Sequence, residues 1–270
     1  MNAAAAASTQ ARPYAELAPD TLFSLRDQVI LITGAAGGIG GALARGFAAA
    51  GGRLIACDVN PRIHELAAQW RSEGMDVESM VFDLTREDEI AHAFAQMESR
   101  HGRLDVLVNN AGVIVRTPFL ELTREEWQKV IDIDLTACFL MAQHAARWMV
   151  RQGSGRIVHL SSIMNHVARP NLVPYVSAKG GVAALTRAMA ADLGGTGVTV
   201  NALAPGYTQT EFSQAKDRDF NAFVSGWAPC RRWGQPEDLI GAALLLASPA
   251  GSYISGQVLY VDGGFLAVTR

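Results

Sequence analysis

The sequence predicts a single α/β domain in which one parallel sheet of about seven strands carries helices on both faces, the doubly wound arrangement. From about residue 28 the chain repeats one pattern, in which a short apolar β-rich run is followed by a turn and a helical stretch. The apolar runs are continuous rather than alternating, which is typical of parallel strands buried on both faces. No segment has the composition of a linker, and 270 residues suit one large core.

Seven apolar segments predict the strands in chain order. A turn and a helical stretch follow each of the earlier segments, and the longest helical stretches are Ala-rich and cover residues 123–152 and 173–194. The predicted strands are residues 28–33, 53–58, 76–83, 103–110, 156–162, 198–205 and 257–264.

Two segments fall outside this pattern. Residues 1–22 contain a short Ala run followed by Pro and polar residues, without the basic and Leu-rich regions of a secretory signal, and they predict a flexible tail ahead of a domain at 23–270. Residues 208–238 have no strand pattern and carry aromatic residues on a polar background. This segment predicts a lid over the substrate, or alternatively a surface loop with two short helices.

Composition excludes several classes of partner. The formal net charge of −3 disfavours nucleic acid and anionic membrane surfaces, and no apolar run approaches the roughly 18–20 residues that span a bilayer. The three cysteines, Cys57, Cys138 and Cys230, are widely spaced and predict no disulfide framework. They fit a reducing cytoplasm, and neither they nor the histidines have the spacing of metal ligands.

A glycine-rich turn, TGAAGGIG (33–40), lies between the first strand and the first helix. Gly34, Gly38 and Gly40 let the backbone turn tightly and approach a pyrophosphate without a Cβ in the way. The helix that opens near Ile39 then directs its first N–H groups and positive dipole end at that anion. Because the turn follows a strand and begins a helix, it predicts a dinucleotide site on a Rossmann-type sheet.

Asp58 ends the second predicted strand, where it suits an adenosine ribose. A carboxylate at this position can accept both hydrogen bonds of the ribose diol and would repel a 2′-phosphate. No Arg or Lys occupies positions 37, 59 or 60 to neutralise such a phosphate. The sequence therefore favours NAD(H) over NADP(H); the alternative is that Asp58 only caps the end of its strand.

A phenol and an ammonium group lie on one face of a predicted helix, at Tyr175 and Lys179. A nearby ammonium stabilises a phenolate, so Tyr175 is a candidate general acid and base for a carbonyl or alcohol. Ser162 comes just after a predicted strand, where its hydroxyl could bond the substrate oxygen. A YxxxK pattern alone is common, and it gains meaning here from its place after the serine and the glycine turn.

Taken together, these motifs resemble those of the short-chain dehydrogenase/reductase family, over residues 25–264. The resemblance rests on TGAAGGIG (33–40), Asp83-Leu84, NNAG (109–112), Ser162, YVSAK (175–179) and APGYTQT (204–210). It implies that Ser162 orients the substrate, that Tyr175 exchanges a proton, and that Lys179 holds the nicotinamide ribose and tunes Tyr175. It further implies cofactor contacts at the adenine end from Asp83 and Leu84 and at the carboxamide end from Pro205, Thr208 and Thr210. In the cleft between these ends, it implies cofactor contacts from Asn110, Gly112 and Tyr175, as well as from Lys179.

One position departs from the family pattern. The family usually has Asn where this chain has Asp134, and that Asn helps hold a water chain leading away from the lysine. An ionised Asp134 can accept hydrogen bonds but cannot donate them through an amide. It could also pair with Lys179 and change how strongly the lysine acts on Tyr175.

Within the family, the stretches 110–118, 167–175 and 204–264 resemble the gluconate 5-dehydrogenase and 2-deoxygluconate 3-dehydrogenase branch. That likeness implies a sugar acid or polyol as substrate and a homotetramer as assembly. Arg116 or Arg169 could bind the carboxylate in a bidentate manner, and His166 could contact hydroxyls. The alternatives are solvent-exposed arginines and an ordinary loop histidine.

Two other functions fit parts of the sequence. A 3-oxoacyl-thioester reductase shares the motifs, but that role usually uses NADPH, which Asp58 disfavours. A non-catalytic dinucleotide sensor could share the fold, but a sensor has no need of the Ser162, Tyr175 and Lys179 group.

Overall fold

The computed structural model describes residues 13–211, 213 and 217–269. Its centre is one seven-stranded sheet with the order β3-β2-β1-β4-β5-β6-β7, and every neighbouring pair is parallel. The predicted fold class is confirmed, and all seven predicted segments contain a strand. The strands are β1 Val29–Thr33, β2 Arg53–Asp58, β3 Val77–Val81, β4 Val106–Asn109, β5 Gly155–Leu160, β6 Val198–Pro205 and β7 Val258–Val261.

Helices cover both faces of the sheet. The α-helices are α1 Pro19–Leu22, α2 Gly38–Ala49, α3 Ile63–Ser72, α4 Glu87–His101, α5 Arg124–Ile131, α6 Ala137–Gln152, α7 Val173–Asp192, α8 Arg218–Trp227 and α9 Ile240–Ala247. A π-helical turn, Asp132–Thr136, joins α5 to α6. Short 3-10 helices lie at Tyr14–Leu17, Ile163–Asn165, Pro236–Leu239, Pro249–Gly251 and Phe265–Ala267.

Two apolar layers bury the sheet, one on each face. Successive residues of β1 alternate between them, which is why its sequence is apolar without interruption. The first layer packs α2, α3 and α9 on the sheet through Leu43, Phe47, Trp70, Ala243 and Leu246, and the second packs α4 and α6 through Phe94, Met97, Met141, Ala145 and Met149.

The strand order reverses at β1, which pairs with β2 on one side and β4 on the other. Such a reversal opens a crevice beyond the carboxyl ends of the strands, where doubly wound sheets bind ligands. The glycine turn follows β1 at this point, Asp58 ends β2, and Ser162 follows β5 closely. The topology therefore brings residues from distant parts of the chain to one edge of the sheet.

Of the two segments outside the repeating pattern, the predicted tail contains more regular structure than expected, whereas residues 208–238 carry two short helices, as one of the stated alternatives has it. Within the predicted tail, residues 14–17 and 19–22 form short helices, and residues 1–12 lie outside the described part of the chain. The segment 208–238 contains α8 and the 3-10 helix Pro236–Leu239, and Thr208 forms a parallel bridge with Gly234. Residue 212 and residues 214–216 are not among the described residues. No described helix is both long and apolar enough to cross a membrane.

Candidate active site

A cleft of about 800 Å³ opens at the carboxyl ends of the strands. It extends from the glycine turn past β4 and β5 to α8. Most of the residues that the sequence singled out line it together: Gly34, Gly38, Ile39, Asp58, Asp83, Leu84, Asn110, Gly112, Arg116, Asp134, Ser162, Arg169, Tyr175, Lys179, Pro205, Thr208 and Thr210. Two others, Gly40 and His166, are not among its lining residues.

The glycine turn is shaped for a close ligand. Gly34 has a φ of +64°, and a Cβ there would lie 2.8 Å from the Ala111 Cα. A Cβ on Gly40 would overlap the Gly34 carbonyl oxygen, so Gly40 supports the turn from behind. Gly37 borders open space, and no described side chain caps the start of α2. The free N–H groups of the first helical turn and this open backbone fit the pyrophosphate of a dinucleotide.

Hydrogen bonds tie the turn to the neighbouring strands. The Asn110 Nδ2 donates to the carbonyl oxygens of Thr33 and Gly34 at 2.9 and 3.0 Å, and the Asn110 backbone N–H donates to the Thr33 Oγ1 at 2.9 Å. Asp58 Oδ2 accepts from the Ala36 N–H at 3.0 Å, and its Oδ1 accepts from the Asn60 N–H at 2.9 Å. Asp58 thus braces the turn as well as lining the cleft.

The two ends of the cofactor cleft are also ordered locally. At one end, Asp83 Oδ1 accepts from the backbone N–H and the hydroxyl of Thr85, both at 2.8 Å. At the other, the Thr208 hydroxyl donates to the Gly206 carbonyl at 3.2 Å. The Thr210 methyl would be 3.1 Å from a Cβ on Gly38, so the segment after β6 closes over the start of α2.

Ser162, Tyr175 and Lys179 line the same cleft. Ser162 precedes the 3-10 helix Ile163–Asn165, and its Oγ accepts from the Met164 N–H at 3.1 Å, which leaves the hydroxyl proton available to a substrate oxygen. Tyr175 and Lys179 lie one turn apart on α7, and the Lys179 Nζ is 5.5 Å from the centre of the Tyr175 ring. Lys179 also donates to the Leu160 carbonyl at 3.0 Å. The group can therefore donate and accept a proton at one point of the cleft.

Asp134 is the buried partner of this lysine. Its Oδ2 lies 3.1 Å from the Lys179 Nζ, its Oδ1 accepts from the Val113 N–H at 2.8 Å, and the residue is 1% exposed. Burial lowers the pKa of Lys179, but the Asp134 carboxylate outweighs it, so the pKa lies above its usual value. The ion pair considered from the sequence is thus present, and it depends on the π turn that carries Asp134.

Two arginines stand on the substrate side of the cleft. The guanidinium carbon of Arg169 lies 3.8 Å from the centre of the Phe220 ring. Burial and the nearby Arg169 cation lower the pKa of Arg116, while Tyr175 acts in the opposite direction. The two cations and the phenol line the same cleft and act on one another electrostatically. The expectation that His166 contacts substrate hydroxyls is not supported by its position, since its exposed ring packs edge-on against Tyr260 at 6.3 Å.

Other cleft residues went unnoticed in the sequence. Tyr207, Phe220 and Trp233 line the substrate side, and their rings contact one another at centroid distances of 5.2 to 5.7 Å. The aromatic composition of residues 208–238 was the available signal, but only folding brings Tyr207 against them. Arg62 also lines the cofactor side, beyond the positions inspected for a cation near Asp58.

A buried polar cluster lies behind the catalytic group. The Nδ1 of His159 is 3.2 Å from both the Asn109 Nδ2 and the Cys138 Sγ, and burial lowers the pKa of this histidine to about 4. Burial raises the pKa of Cys138 to about 12. Both side chains are neutral at physiological pH.

Among residues 13–211, 213 and 217–269, no group of three or more His, Cys, Asp or Glu side chains is arranged to hold a metal ion.

The sequence is similar to that of a known protein family and of several characterised enzymes. The family model described as enoyl-(acyl carrier protein) reductase matches residues 34–266. The 5-keto-D-gluconate 5-reductase of Escherichia coli is 40% identical over 248 residues, which cover 91% of this chain and 98% of the relative. The cis-4-hydroxycyclohexanecarboxylate dehydrogenase of Sinomonas cyclohexanicum is 40% identical over 243 residues, 90% of this chain and 98% of the relative.

A solved structure agrees in backbone as well as sequence. The crystal structure of a gluconate 5-dehydrogenase from Burkholderia cenocepacia, in complex with NADP and tartrate, superposes with a TM-score of 0.90. It is 38% identical and covers 93% of this chain and 100% of that one. The named dehydrogenase and reductase relatives set the sensor alternative aside. This chain belongs to the short-chain dehydrogenase/reductase family of NAD(P)-dependent oxidoreductases, which act on CH–OH groups.

Proposed function

We propose that this enzyme interconverts a secondary alcohol and a ketone on a small hydroxylated carboxylic acid, with a sugar acid of the gluconate type as substrate. The observation that carries the proposal is the pair of guanidinium groups, Arg116 and Arg169, in the same cleft as Tyr175. Two neighbouring cations beside a proton donor favour an anionic substrate, because a carboxylate relieves their repulsion and can accept bidentate hydrogen bonds.

The protein's own residues would handle the proton. When bound, the nicotinamide cofactor supplies or accepts the hydride. The Ser162 hydroxyl donates a hydrogen bond to the substrate oxygen and so orients the substrate. Tyr175 then gives a proton to that oxygen during ketone reduction or takes one during alcohol oxidation. Lys179 supports the phenolate form of Tyr175, and Asp134 and the Leu160 carbonyl hold its ammonium in place.

The cofactor preference that we propose is NAD(H) over NADP(H). Asp58 places a carboxylate at the end of β2, and its charge would oppose a 2′-phosphate. Arg62 is the described cleft residue nearest in sequence that could offset this charge. We expect Asp58→Asn to lower the preference for NAD over NADP, measured as the ratio of kcat/KM values. A wild-type enzyme that prefers NADP would contradict the assignment.

The substrate is tested by turnover. We expect NADH formation with NAD and D-gluconate, and NADH consumption with 5-keto-D-gluconate. The variant Arg116→Met should raise KM for both, while Arg124→Met, an exposed change at the start of α5, serves as the control. If a panel of sugar acids and polyols were all inert, the sugar-acid assignment would fall.

A second substrate class is favoured by a specific observation. Tyr207, Phe220 and Trp233 present an aromatic wall opposite the catalytic group, and such a surface suits an apolar ring better than a chain of hydroxyls. The relative that acts on cis-4-hydroxycyclohexanecarboxylate supports this candidate. Comparing kcat/KM for 4-oxocyclohexanecarboxylate and 5-keto-D-gluconate decides between the two classes.

We also propose that the enzyme assembles as a homotetramer and that the segment around 208–238 is a lid over the substrate. The family resemblance favours a homotetramer, which size-exclusion chromatography with light scattering would measure. The position of α8 along the substrate side supports the lid role of the segment around 208–238.

A further inference from the structure

The contact between Arg169 and Phe220 joins two separate parts of the substrate side. Arg169 lies in the loop before α7, the helix that carries Tyr175, whereas Phe220 lies on α8. Their separation of 3.8 Å, from guanidinium carbon to ring centre, is that of a stacked cation–π pair. Both residues line the cleft, so this stack forms part of its wall.

Phe220 is itself held by its surroundings. Its ring meets Tyr207 edge-on at 5.2 Å and Trp233 edge-on at 5.7 Å. Asp217 caps α8 and accepts a hydrogen bond from the Phe220 N–H at 3.1 Å. The Phe220 ring therefore has aromatic contacts of its own and offers a plane on which the Arg169 guanidinium is oriented.

Stacking uses only one surface of a guanidinium group. The flat face covers the ring, and the N–H groups at the edge remain directed sideways, where they can meet a planar anion. A carboxylate placed against that edge would satisfy two donors at once. Arg116 adds a second positive charge on the same side of the cleft. The edge of Arg169 is thus suited to a carboxylate, provided that Phe220 holds its plane.

We propose that Phe220 is a positioning residue for substrate specificity: it fixes the guanidinium of Arg169 for the substrate carboxylate and so couples α8 to the charge of the bound substrate. The inference rests on the proposed function in assuming a carboxylate substrate. It adds a residue that acts through Arg169, and it assigns α8 a role in the preference for acids over neutral alcohols.

A matched pair of ligands isolates the carboxylate. D-Gluconate and D-sorbitol differ only in having a carboxylate or a CH₂OH group at one end. Binding to the NAD-loaded enzyme is followed through tryptophan fluorescence, because Trp233 contacts Phe220 directly and Trp227 ends α8. We expect D-gluconate to give a saturable change in the wild type and D-sorbitol to bind more weakly.

Three variants test the stack. Phe220→Leu removes the aromatic face and keeps an apolar side chain, and it should weaken D-gluconate binding about 3- to 10-fold with little effect on D-sorbitol. Arg169→Lys keeps the charge but loses the flat face, and it should behave similarly. The double variant should be no weaker than either single one, since both remove the same interaction. Phe139→Leu, an exposed ring on α6 that does not line the cleft, is the matched control. Melting temperature and NADH binding verify the folding of each variant.

The outcomes separate this inference from the proposed function. Equal D-gluconate binding by wild type and Phe220→Leu, or equal losses for D-gluconate and D-sorbitol, would overturn the role of Phe220 while leaving turnover of sugar acids intact. Carboxylate-selective binding that depends on Phe220, without turnover of any sugar acid, would support this inference and overturn the proposed substrate. In an active enzyme, the expected signature is a raised KM for D-gluconate with kcat within about twofold of wild type.

Discussion

The two halves of the cleft are built in different ways. The cofactor half consists of strand ends and a helix start, and main-chain groups make most of its hydrogen bonds, as at Gly34 and Ala36. The substrate half consists of side chains from a loop and α8, held by ring contacts and the stack of Arg169 on Phe220. Main-chain groups suit the binding of the dinucleotide cofactor, which the members of the family have in common. A wall of side chains can change without disturbing those main-chain groups, and it can therefore set specificity.

The largest expected effect separates binding from chemistry. Tyr175→Phe removes the hydroxyl that we propose exchanges the proton, and we expect kcat to fall about 10²- to 10⁴-fold. Cofactor affinity should fall far less than kcat, because most of the expected cofactor contacts come from the glycine turn and the strand ends. Steady-state turnover and NADH titration measure the two quantities. A comparable loss of NADH affinity would show that the halves are not independent.

The next effect concerns the free energy of unfolding and the histidine His159, which is buried on β5. Burial holds its pKa at about 4, below its ordinary value of 6.5, so the folded state excludes a proton that the unfolded state takes up. The free energy of unfolding should therefore fall by about 3 kcal/mol as the pH drops from 6.5 to 4.

Denaturant unfolding across that pH range measures this loss. His159→Gln should flatten the dependence, even if it lowers stability at neutral pH. His92→Gln, an exposed histidine on α4, should leave the dependence as in the wild type. An unchanged slope in His159→Gln would mean that other groups cause the acid sensitivity.

A third test concerns the rigidity of the glycine turn. Gly40→Ala forces a methyl group against the Gly34 carbonyl, and we expect it to lower the free energy of unfolding by about 1–3 kcal/mol and to weaken NADH binding. Gly241→Ala, in α9, meets no atom within 4 Å and should instead stabilise by about 0.5–1 kcal/mol. Thermal melting compares them. If Gly40→Ala and Gly241→Ala had the same free energy of unfolding, the glycine turn would be no more rigid than the side-chain wall of the substrate half.

The smallest expected effect lies where the halves meet. Asp134→Asn removes the carboxylate that offsets the Lys179 ammonium, so the lysine should favour the Tyr175 phenolate more strongly. We expect activity to persist and the acid limb of the alcohol-oxidation profile to move to lower pH, by about one unit at most. The pH dependence of kcat/KM measures it, with Asp132→Asn from the same π turn as control. An unmoved profile would place Asp134 outside the proton-handling group.

The cofactor half could be predicted from the sequence because its parts are local. The run from Thr33 to Gly40 contains the strand end, turn and helix start that a dinucleotide needs, and the spacing of Tyr175 and Lys179 sets their common face. The parallel strands then follow from continuous apolar runs. The observed strand ends differ from the predicted ones by up to three residues, as at the start of β4. The reason is that a strand ends where its hydrogen bonds end, which the run of apolar residues does not show.

The substrate half could be predicted only in part. Arg116 and Arg169 were candidates on chemical grounds, but nothing in the sequence pairs Arg169 with Phe220, since that contact joins separate elements. For the same reason the sequence left two alternatives for His166, and the structure places its ring against Tyr260 on β7. Local spacing cannot give the direction of a loop side chain. Such directions depend on tertiary packing.

The π turn between α5 and α6 has a consequence for how this chain can change in length. Each residue of an α-helix advances its faces by about 100°, so the wider turn at Asp132–Thr136 rotates α5 relative to α6. That rotation lets α5 pack on α7 while α6 packs on β4 and β5, with Asp134 directed at Lys179. Deleting one residue here would regularise the helix and turn one of these faces away. This stretch should therefore accept substitutions much more readily than insertions or deletions.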